Sequence, residues 1–453
     1  MRFSAVSALS LPDLLAAAFD RGRNLLRRLP ATAPSGQENI LQLTDILLSG
    51  HGEASGVALA RRILELYAAM TADSRQAFLI ALGDCFGPDE TRLARAIEEY
   101  RREPNGRSLS ELHAASEPRR QELIRRLNLA TGGTAALVRM REDLIRIMPL
   151  KKDLEWVERD FAHLFSSWFN RGFLVVRRID WTTSANVLEK IIKYEAVHEM
   201  SGWGDLRRRL EPRDRRCYAF FHPALVDEPL IFVEVALTDE MPAAITPLLA
   251  VERQILPAER ARTAVFYSIS NCQLGLKGIS FGNFLIKQVV EELKGELPGL
   301  TTFVTLSPMV GFRDWLARGD SIAQADDVKN EAKAAIATLD DADWRCDDTK
   351  AAVFQRALVR AAAHYLMAVR TPSGRLFDPV ARFHLGNGAR LERINWLADP
   401  SPKGLREAGG LMVNYLYDLD NIEGNHEAFV NNGEVAAAPA IWRLVNARRP
   451  TGC

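Results

Sequence analysis

Apolar residues in the first third of the chain recur three and four positions apart, with charged residues between them. Leu59, Ile63, Leu66 and Tyr67 form one such stripe, and this spacing predicts amphipathic helices. Glycine- and proline-containing breaks divide the pattern into helices over about 37–49, 54–72, 74–85, 88–103, 108–127 and 131–148. Residues 1–26 also have the pattern of an amphipathic helix. We therefore predict that residues 1–165 form a helical bundle that serves in oligomerisation or covers the rest of the chain.

The pattern changes near residue 150, where strands begin to alternate with helices. Short runs of β-branched and aromatic residues, bounded by turn residues, are typical of strands. The predicted order is a helix over 153–170, a strand over 172–181, helices over 184–200 and 203–210, strands over 216–222 and 229–238, and a helical insertion over 242–256. We expect Ser184 to cap its helix.

Residues 262–307 are the most informative stretch. They predict a strand (262–270), a loop with Gly275 and Gly278, a helix (281–297) and a second strand (301–306). A glycine-containing turn between a strand and a helix brings backbone N–H groups to a helix N-terminus, where they favour an anion. Lys277 adds a mobile positive charge. The loop is therefore a candidate pyrophosphate site, with an ordinary crossover turn as the alternative on these residues alone.

The remainder of the chain completes a mixed domain. We predict a helix over 311–318, helices within 321–371, a turn at Asn387-Gly388, a strand after that turn up to residue 399, another strand over 409–418 and an exposed loop over 419–436. The expected fold class is α+β, with the N-terminal all-α bundle followed by a mixed α/β domain over 166–453.

Composition narrows the function classes. The 58 basic and 58 acidic residues give zero formal net charge, which argues against nucleic acid as a partner. No apolar run approaches the ~20 residues of a membrane helix, and the N-terminus lacks the pattern of a secretion signal. The five cysteines form no CxxC pair, and their spacing favours free thiols in a reducing cytoplasm over zinc.

Several polar residues are candidates for chemistry, and each also has a purely structural explanation. Ser307 ends a strand before a proline, His384 precedes the Asn387-Gly388 turn, and His222 precedes Pro223. All three positions are common in turns. Asn414, Tyr415 and Tyr417 lie along one predicted strand, so a pocket lining and core packing are both consistent with them. We find no metal-ligand cluster.

Longer stretches give a specific resemblance. The element order over 172–306 is similar to the core of GNAT acyltransferases. Six segments resemble the malonyl-CoA decarboxylase family: HPALVDEPLIFVEVALT (222–238), FYSIS (266–270), GLKGISFGNFLIK (275–287), TLSPMVGF (305–312), FHLGNGARLERINWLAD (383–399) and GLMVNYLYDLD (410–420). A helical region ahead of a GNAT-like catalytic domain is also similar to that family.

The resemblance implies that the chain converts malonyl-CoA to acetyl-CoA and CO2. It implies a catalytic serine at Ser307 and a catalytic histidine at His384. Asn387, Tyr417 and His222 are candidate pocket residues from their positions in the sequence. The implied CoA-binding residues are Lys277, Gly278, Ile279, Ser280, Phe281, Gly282 and Asn283. Ser280 departs from the acidic residue expected in some relatives. The helical domain and the resemblance together suggest a homo-oligomer, dimer or tetramer. The expected location is the cytoplasm, and the expected reaction needs neither metal nor biotin.

The residues allow this chemistry without the resemblance. Loss of CO2 from a malonyl thioester leaves an enolate, which hydrogen-bond donors stabilise. The carbanion then needs a proton from a group with a pKa near neutral, and a histidine is the natural donor. Two alternatives remain: an acyltransferase that needs an acceptor, and a non-catalytic acyl-CoA sensor. Roles in malonate catabolism and in fatty acid metabolism both remain open.

Overall fold

The chain divides into two compact units. The computed structural model describes residues 36–50, 52–279, 281, 285–318, 326–339 and 348–446, so the helix predicted over 1–26 lies outside the described residues. Unit 1 takes Met1–Phe173, His222–Val226 and Gln273–Phe281, and unit 2 takes Leu174–Phe221, Asp227–Cys272 and Gly282–Cys453. The domain boundary placed after residue 165 stays a prediction.

Unit 1 is helical, as predicted. Its helices are α1 (Gly36–Leu48), α2 (Glu53–Ala69), α3 (Ala72–Cys85), α4 (Glu90–Arg102), α5 (Gly106–Ser116), α6 (Arg119–Asn128), α7 (Gly133–Ile147) and α8 (Glu155–Trp168). The apolar stripes that predicted these helices are buried, among them Leu59, Ile63, Leu123 and Leu137. The single helix predicted over 108–127 is wrong: α5 and α6 are separated at Glu117-Pro118, because proline disfavours helical geometry in the residue before it.

Unit 2 is built on one mixed sheet, which has eight strands in the described part of the chain. The strands are β1 (Val175–Arg178), β2 (Arg215–Phe221), β3 (Pro229–Thr238), β4 (Thr263–Asn271), β5 (Thr302–Thr305), β6 (Ser307–Pro308), β7 (Arg390–Asn395) and β8 (Met412–Leu416). Their order is β1-β2-β3-β4-β5-β8-β6, and β7 pairs with β8. β1 to β4 are antiparallel, whereas β4 and β5 are parallel. The parallel pair is joined through a helix, as such a crossover requires.

The helices of unit 2 lie between these strands in the chain or follow the last of them. They are α9 (Ala185–Tyr194), α10 (Trp203–Leu210), α11 (Thr246–Leu249), α12 (Leu285–Glu296), α13 (Phe312–Ala317), α14 (Asp326–Leu339), α15 (Asp348–Ala368), α16 (Pro379–Gly386), α17 (Pro402–Ala408), α18 (Ile422–Asn432) and α19 (Pro439–Asn446). The order from β1 to β5 confirms the predicted succession of elements over that part of the chain, and the α+β fold class is confirmed.

Two predicted helical elements are wrong in extent. The helix predicted over 184–200 ends at Tyr194, because the Glu195 carboxylate accepts hydrogen bonds from the backbone N–H groups of Val197 and His198 and replaces helical bonds there. Ser184 is its N-cap residue but makes no side-chain capping bond. The insertion over 242–256 is helical only in the four residues of α11.

The exposed loop predicted over 419–436 is also wrong, since it contains α18. Asn421 precedes this helix, and Gly433 ends it with a φ of 70°, the left-handed conformation in which helices commonly end. The segment is polar because its helix buries little apolar surface, so the sequence showed no amphipathic pattern there.

Candidate active site

Ser307 is fixed by backbone pairing on both sides of the residue. It begins the two-residue strand β6, where it pairs with Val413 of β8. The preceding residue, Leu306, donates its N–H to the Phe266 carbonyl at 3.0 Å. Ser307 is 5% exposed. Its hydroxyl therefore has a defined position inside unit 2, which a serine in an exposed turn would lack.

His384 lies in the last turn of α16, although the sequence suggested a turn residue. The helix begins where the Asp378 side chain accepts a hydrogen bond from the Ala381 N–H at 2.7 Å. Pro379 occupies the start of the helix, a position that proline suits because no helical N–H is needed there. The Asn387-Gly388 turn follows directly, and Gly388 has the φ of 80° that this turn requires.

Three side chains form a continuous hydrogen-bonded chain within unit 2. The Ser307 Oγ lies 3.0 Å from His384 Nε2, and His384 Nδ1 lies 2.8 Å from the Tyr417 Oη. The Tyr415 ring stacks on the imidazole with centroids 4.7 Å apart. All four residues are buried. Both imidazole nitrogens are thus engaged, and the ring orientation is set from three directions.

Burial determines the charge of the hydrogen-bonded Ser307–His384–Tyr417 side chains. Removal of the imidazole from water lowers the pKa of His384 to about 3, because burial disfavours the charged form. The same effect raises the pKa of the Tyr417 hydroxyl well above its ordinary value. At neutral pH the resting chain is therefore uncharged. The expectation of a histidine pKa near neutral is wrong for the ligand-free protein.

Two proton arrangements satisfy both hydrogen bonds of the neutral imidazole. In one, Tyr417 donates to Nδ1 and the Nε2–H donates to Ser307. In the other, Ser307 donates to Nε2 and the Nδ1–H donates to Tyr417. Either arrangement links the Ser307 hydroxyl to Tyr417 through one neutral ring, so a proton can be exchanged between the ends of the chain.

A second set of side chains, not anticipated from sequence, holds the segments that carry Ser307 and His384. The Tyr365 Oη lies 2.8 Å from the Val310 carbonyl, three residues after Ser307, and 3.2 Å from Asp378 Oδ2 at the start of α16. Burial raises the pKa of Asp378 to about 6. The Asp378-Pro379 pair was a readable helix-start signal, but nothing in the sequence indicated its link to Tyr365.

The remaining candidate pocket residues of unit 2 have structural hydrogen bonds. Asn387 is buried and its Nδ2 donates to the Phe383 carbonyl at 2.7 Å. Asn414 donates to the Thr305 carbonyl at 2.7 Å and accepts from Asn395 at 2.7 Å. Asn414 therefore joins β8 to β5 and β7, while Tyr417 joins the Ser307–His384 pair.

His222 belongs to unit 1. Its Nδ1 accepts from the Ala224 N–H at 3.1 Å, and its Nε2 lies 3.1 Å from the Trp168 carbonyl. The ring packs on Phe169 with centroids 4.9 Å apart. Because Nδ1 accepts, Nε2 must carry the proton and donate to Trp168. These contacts favour the structural explanation of His222, and its pocket role stays a prediction.

The predicted CoA loop is described in part. Lys277 and Gly278 are exposed, whereas Ile279 and Phe281 are buried. Leu274–Leu276 forms one turn of 3₁₀ helix, and Gly278 has a φ of 80°. Ser280, Gly282 and Asn283 lie outside the described residues. The following helix is seen from Leu285 onward, not from residue 281.

The described residues lack two further features. No group of three or more His, Cys, Asp and Glu side chains in this part of the chain is arranged to hold a metal ion. None of the helices described is long and apolar enough to cross a membrane.

Comparison with known proteins shows the family. The family model of the malonyl-CoA decarboxylase C-terminal domain matches residues 172–451, and that of the N-terminal domain matches residues 86–169. The mitochondrial malonyl-CoA decarboxylase of Anser anser anser is 34% identical over 416 residues, which cover 84% of this chain and 82% of that protein. The corresponding protein of Rattus norvegicus is 35% identical, with 74% of this chain and 72% of that protein covered.

Solved structures agree with these relatives. The crystal structure of malonyl-CoA decarboxylase from Rhodopseudomonas palustris is 56% identical with a TM-score of 0.85, and covers 90% of this chain and 99% of that chain. The one from Agrobacterium vitis is 55% identical with a TM-score of 0.83, and covers 90% and 100%. Both parts of the chain thus match the same kind of protein, and the chain belongs to the malonyl-CoA decarboxylase family.

Proposed function

We propose that this protein decarboxylates malonyl-CoA to acetyl-CoA and CO2, with Ser307 and His384 at the reacting group. One observation carries the proposal. This member of the family buries a hydrogen-bonded chain of Ser307, His384 and Tyr417, and the sequence resemblance assigns the first two of these residues to catalysis. Burial of polar groups is unfavourable unless they are paired, and the two hydrogen bonds hold the serine and the histidine in one defined orientation.

The reaction sets two requirements. The carboxylate leaves as CO2, and the electrons of the broken C–C bond pass to the thioester, where the enolate oxygen becomes negative. A donor aimed at that oxygen lowers the barrier. The enolate carbon must then take up one proton, so each turnover consumes a proton. We assign Ser307 to hydrogen-bond the malonyl carboxylate or the thioester oxygen.

We assign to His384 the donation of a proton to the enolate carbon, and we propose that the pKa of its imidazole changes during the catalytic cycle. The resting imidazole is neutral, since burial lowers its pKa to about 3. A malonyl carboxylate bound beside it would favour the charged imidazolium, because an opposite charge nearby raises a histidine pKa. After CO2 leaves, the imidazolium gives its proton to the enolate carbon and returns to the neutral state. Tyr417 holds the ring through Nδ1.

We assign CoA binding to the loop that comprises Lys277, Gly278, Ile279, Ser280, Phe281, Gly282 and Asn283. The exposure of Lys277 and Gly278 supports this assignment, since a phosphate ligand needs accessible cationic and N–H donors. The reaction as written needs neither metal nor biotin. A cytoplasmic location and a dimeric or tetrameric state stay predictions, and the relatives from goose and rat are named as mitochondrial.

The test is CO2 release from malonyl-CoA by purified protein, with no acceptor, biotin or added metal. We expect turnover in the unaltered protein. Ser307→Ala and His384→Gln should each lower kcat by about 10²–10⁴-fold while CoA binding persists. Ser373→Ala, which changes an exposed hydroxyl of the same unit, is the matched control and should retain full activity.

Other outcomes point to the alternatives. Release of CoA only when an amine or carrier protein is added would indicate an acyltransferase. CoA binding with no reaction under either condition would indicate a sensor. Full activity of Ser307→Ala together with His384→Gln would refute the assigned roles even if malonyl-CoA is the substrate.

A further inference from the structure

Arg141, on the helix α7, is buried against the loop assigned to CoA. Its Nη1 donates to the Gly275 carbonyl at 2.7 Å, and its Nη2 donates to the Lys277 carbonyl at 3.0 Å. The side chain is 3% exposed and pairs with Glu158. Arg141, Glu158 and both loop residues belong to unit 1. One guanidinium thus holds two carbonyls of a single short loop.

The loop backbone also touches α7 directly. A Cβ at Gly275 would lie 2.0 Å from the Val138 carbonyl oxygen and 2.8 Å from its Cγ1. Val138 and Arg141 are three residues apart and so share a helix face. Leu276 and Ile279 are buried, while Lys277 and Gly278 are exposed. The loop therefore has an inner side fixed on α7 and an exposed tip.

Peptide geometry fixes the direction of the tip. No cis peptide bond occurs among the described residues, so the Lys277 carbonyl and the Gly278 N–H point in opposite directions. With that carbonyl on Arg141, the N–H of Gly278 is turned away from the guanidinium. No described atom lies within 4 Å of the position of a Cβ at Gly278. The tip thus combines a backbone donor turned away from Arg141 with the exposed residue Lys277.

We infer that Arg141 is a positioning residue for the phosphate-bearing part of the substrate, an inference that rests on the proposed CoA-binding role of the loop. Without its two donors, the loop would have to be ordered at the moment of binding. The lost conformational entropy would then subtract from affinity. We expect the effect to be confined to substrates that carry the phosphates, because the proposed role of the loop tip is to bind that part of the substrate.

The experiment compares two substrates in Arg141→Met and in Arg139→Met, the control at an exposed arginine of the same helix. For malonyl-CoA we expect Arg141→Met to raise KM about tenfold or more, with kcat within about twofold. Malonyl-N-acetylcysteamine, a thioester without phosphates, should be turned over equally by the unaltered protein and both variants. Arg141→Lys should be intermediate for malonyl-CoA, since one ammonium replaces a fork of donors.

Gly275→Ala tests the same inference without removal of the guanidinium. Its methyl group must push the loop off Val138, so it should reproduce the substrate-selective rise in KM. If measurement of the melting temperature shows that Arg141→Met does not fold, Gly275→Ala replaces it as the test. An equal loss for both thioesters would overturn the inference, because it would show a general structural defect. Unchanged KM for malonyl-CoA would overturn it as well.

Failure of the proposed function gives a different result. If the unaltered protein releases no CO2 from either thioester, calorimetric titration with CoA decides the inference alone. About tenfold weaker CoA binding by Arg141→Met, with normal binding by Arg139→Met, supports it. Equal binding by all three proteins, or no CoA binding by the unaltered protein, overturns it.

Discussion

Replacement of His384 by glutamine should make the protein less sensitive to mild acid. The folded protein keeps His384 neutral, with a pKa of about 3, whereas the ordinary value is 6.5. Below pH 6.5, His384 therefore binds a proton in the unfolded chain but not in the folded protein. The free energy of unfolding must fall as pH falls through this range. Glutamine binds no proton in either state, so the variant lacks this contribution.

The magnitude follows from the two pKa values. Integration of the extra proton uptake from pH 7 to pH 5 gives a loss of about 2 kcal/mol in the unaltered protein. Because pH 5 lies well above the folded-state value, this figure depends almost entirely on the unfolded chain. Other groups titrate too: burial lowers the pKa of His198 to about 4. Their contribution is present in both proteins and cancels in the difference.

The assay is urea unfolding at pH 7, 6 and 5, followed by circular dichroism. The quantity of interest is the difference between the pH slopes of the unaltered protein and His384→Gln. His113→Gln is the control, since His113 is an exposed histidine of α5, and it should keep the unaltered slope. Equal slopes for the unaltered protein and His384→Gln would refute a buried, neutral imidazole.

Three further substitutions test the parts around this ring. Tyr417→Phe removes the hydroxyl 2.8 Å from His384 Nδ1 and should lower kcat about tenfold with little change in KM, measured as CO2 release. Gly388→Ala combines a φ of 80° with a Cβ placed 2.0 Å from a backbone carbonyl, so urea unfolding should show a loss of about 2 kcal/mol or more. Asp378→Ala removes the cap of α16 and should lower the free energy of unfolding by about 1 kcal/mol.

Sequence periodicity predicted the unit 1 helices and most strands because each burial pattern is local. The strand β3 spans Pro229–Thr238, the predicted range, since a proline and a polar turn bound a continuous apolar run. The helix α16 escaped prediction because eight residues contain too few turns to show a period. The Asn387-Gly388 turn signal directly after it led to the prediction that His384 lies in a turn.

The site's chemistry was less predictable than its members. Their stretches made Ser307 and His384 candidates, and the two side chains lie 3.0 Å apart, but the pKa of His384 depends on burial that three distant segments create together. Arg141 illustrates the same limit. An arginine within an amphipathic helix usually lies on the solvated face, and only the fold brings it to the carbonyl of Gly275, 134 residues further along the chain.

The dispersal of Ser307, His384 and Tyr417 along the chain has a consequence for folding kinetics. The serine and histidine are 77 residues apart, and the histidine and tyrosine a further 33. Contacts of such separation require closure of long loops and form slowly. Tyr417 follows directly on β8, which pairs with both β6 and β7 in the folded protein, so we expect its contact with the imidazole to form together with these long-range pairings. During refolding, recovery of CO2 release should therefore lag behind recovery of helical circular dichroism, so that activity reports the last stage of assembly.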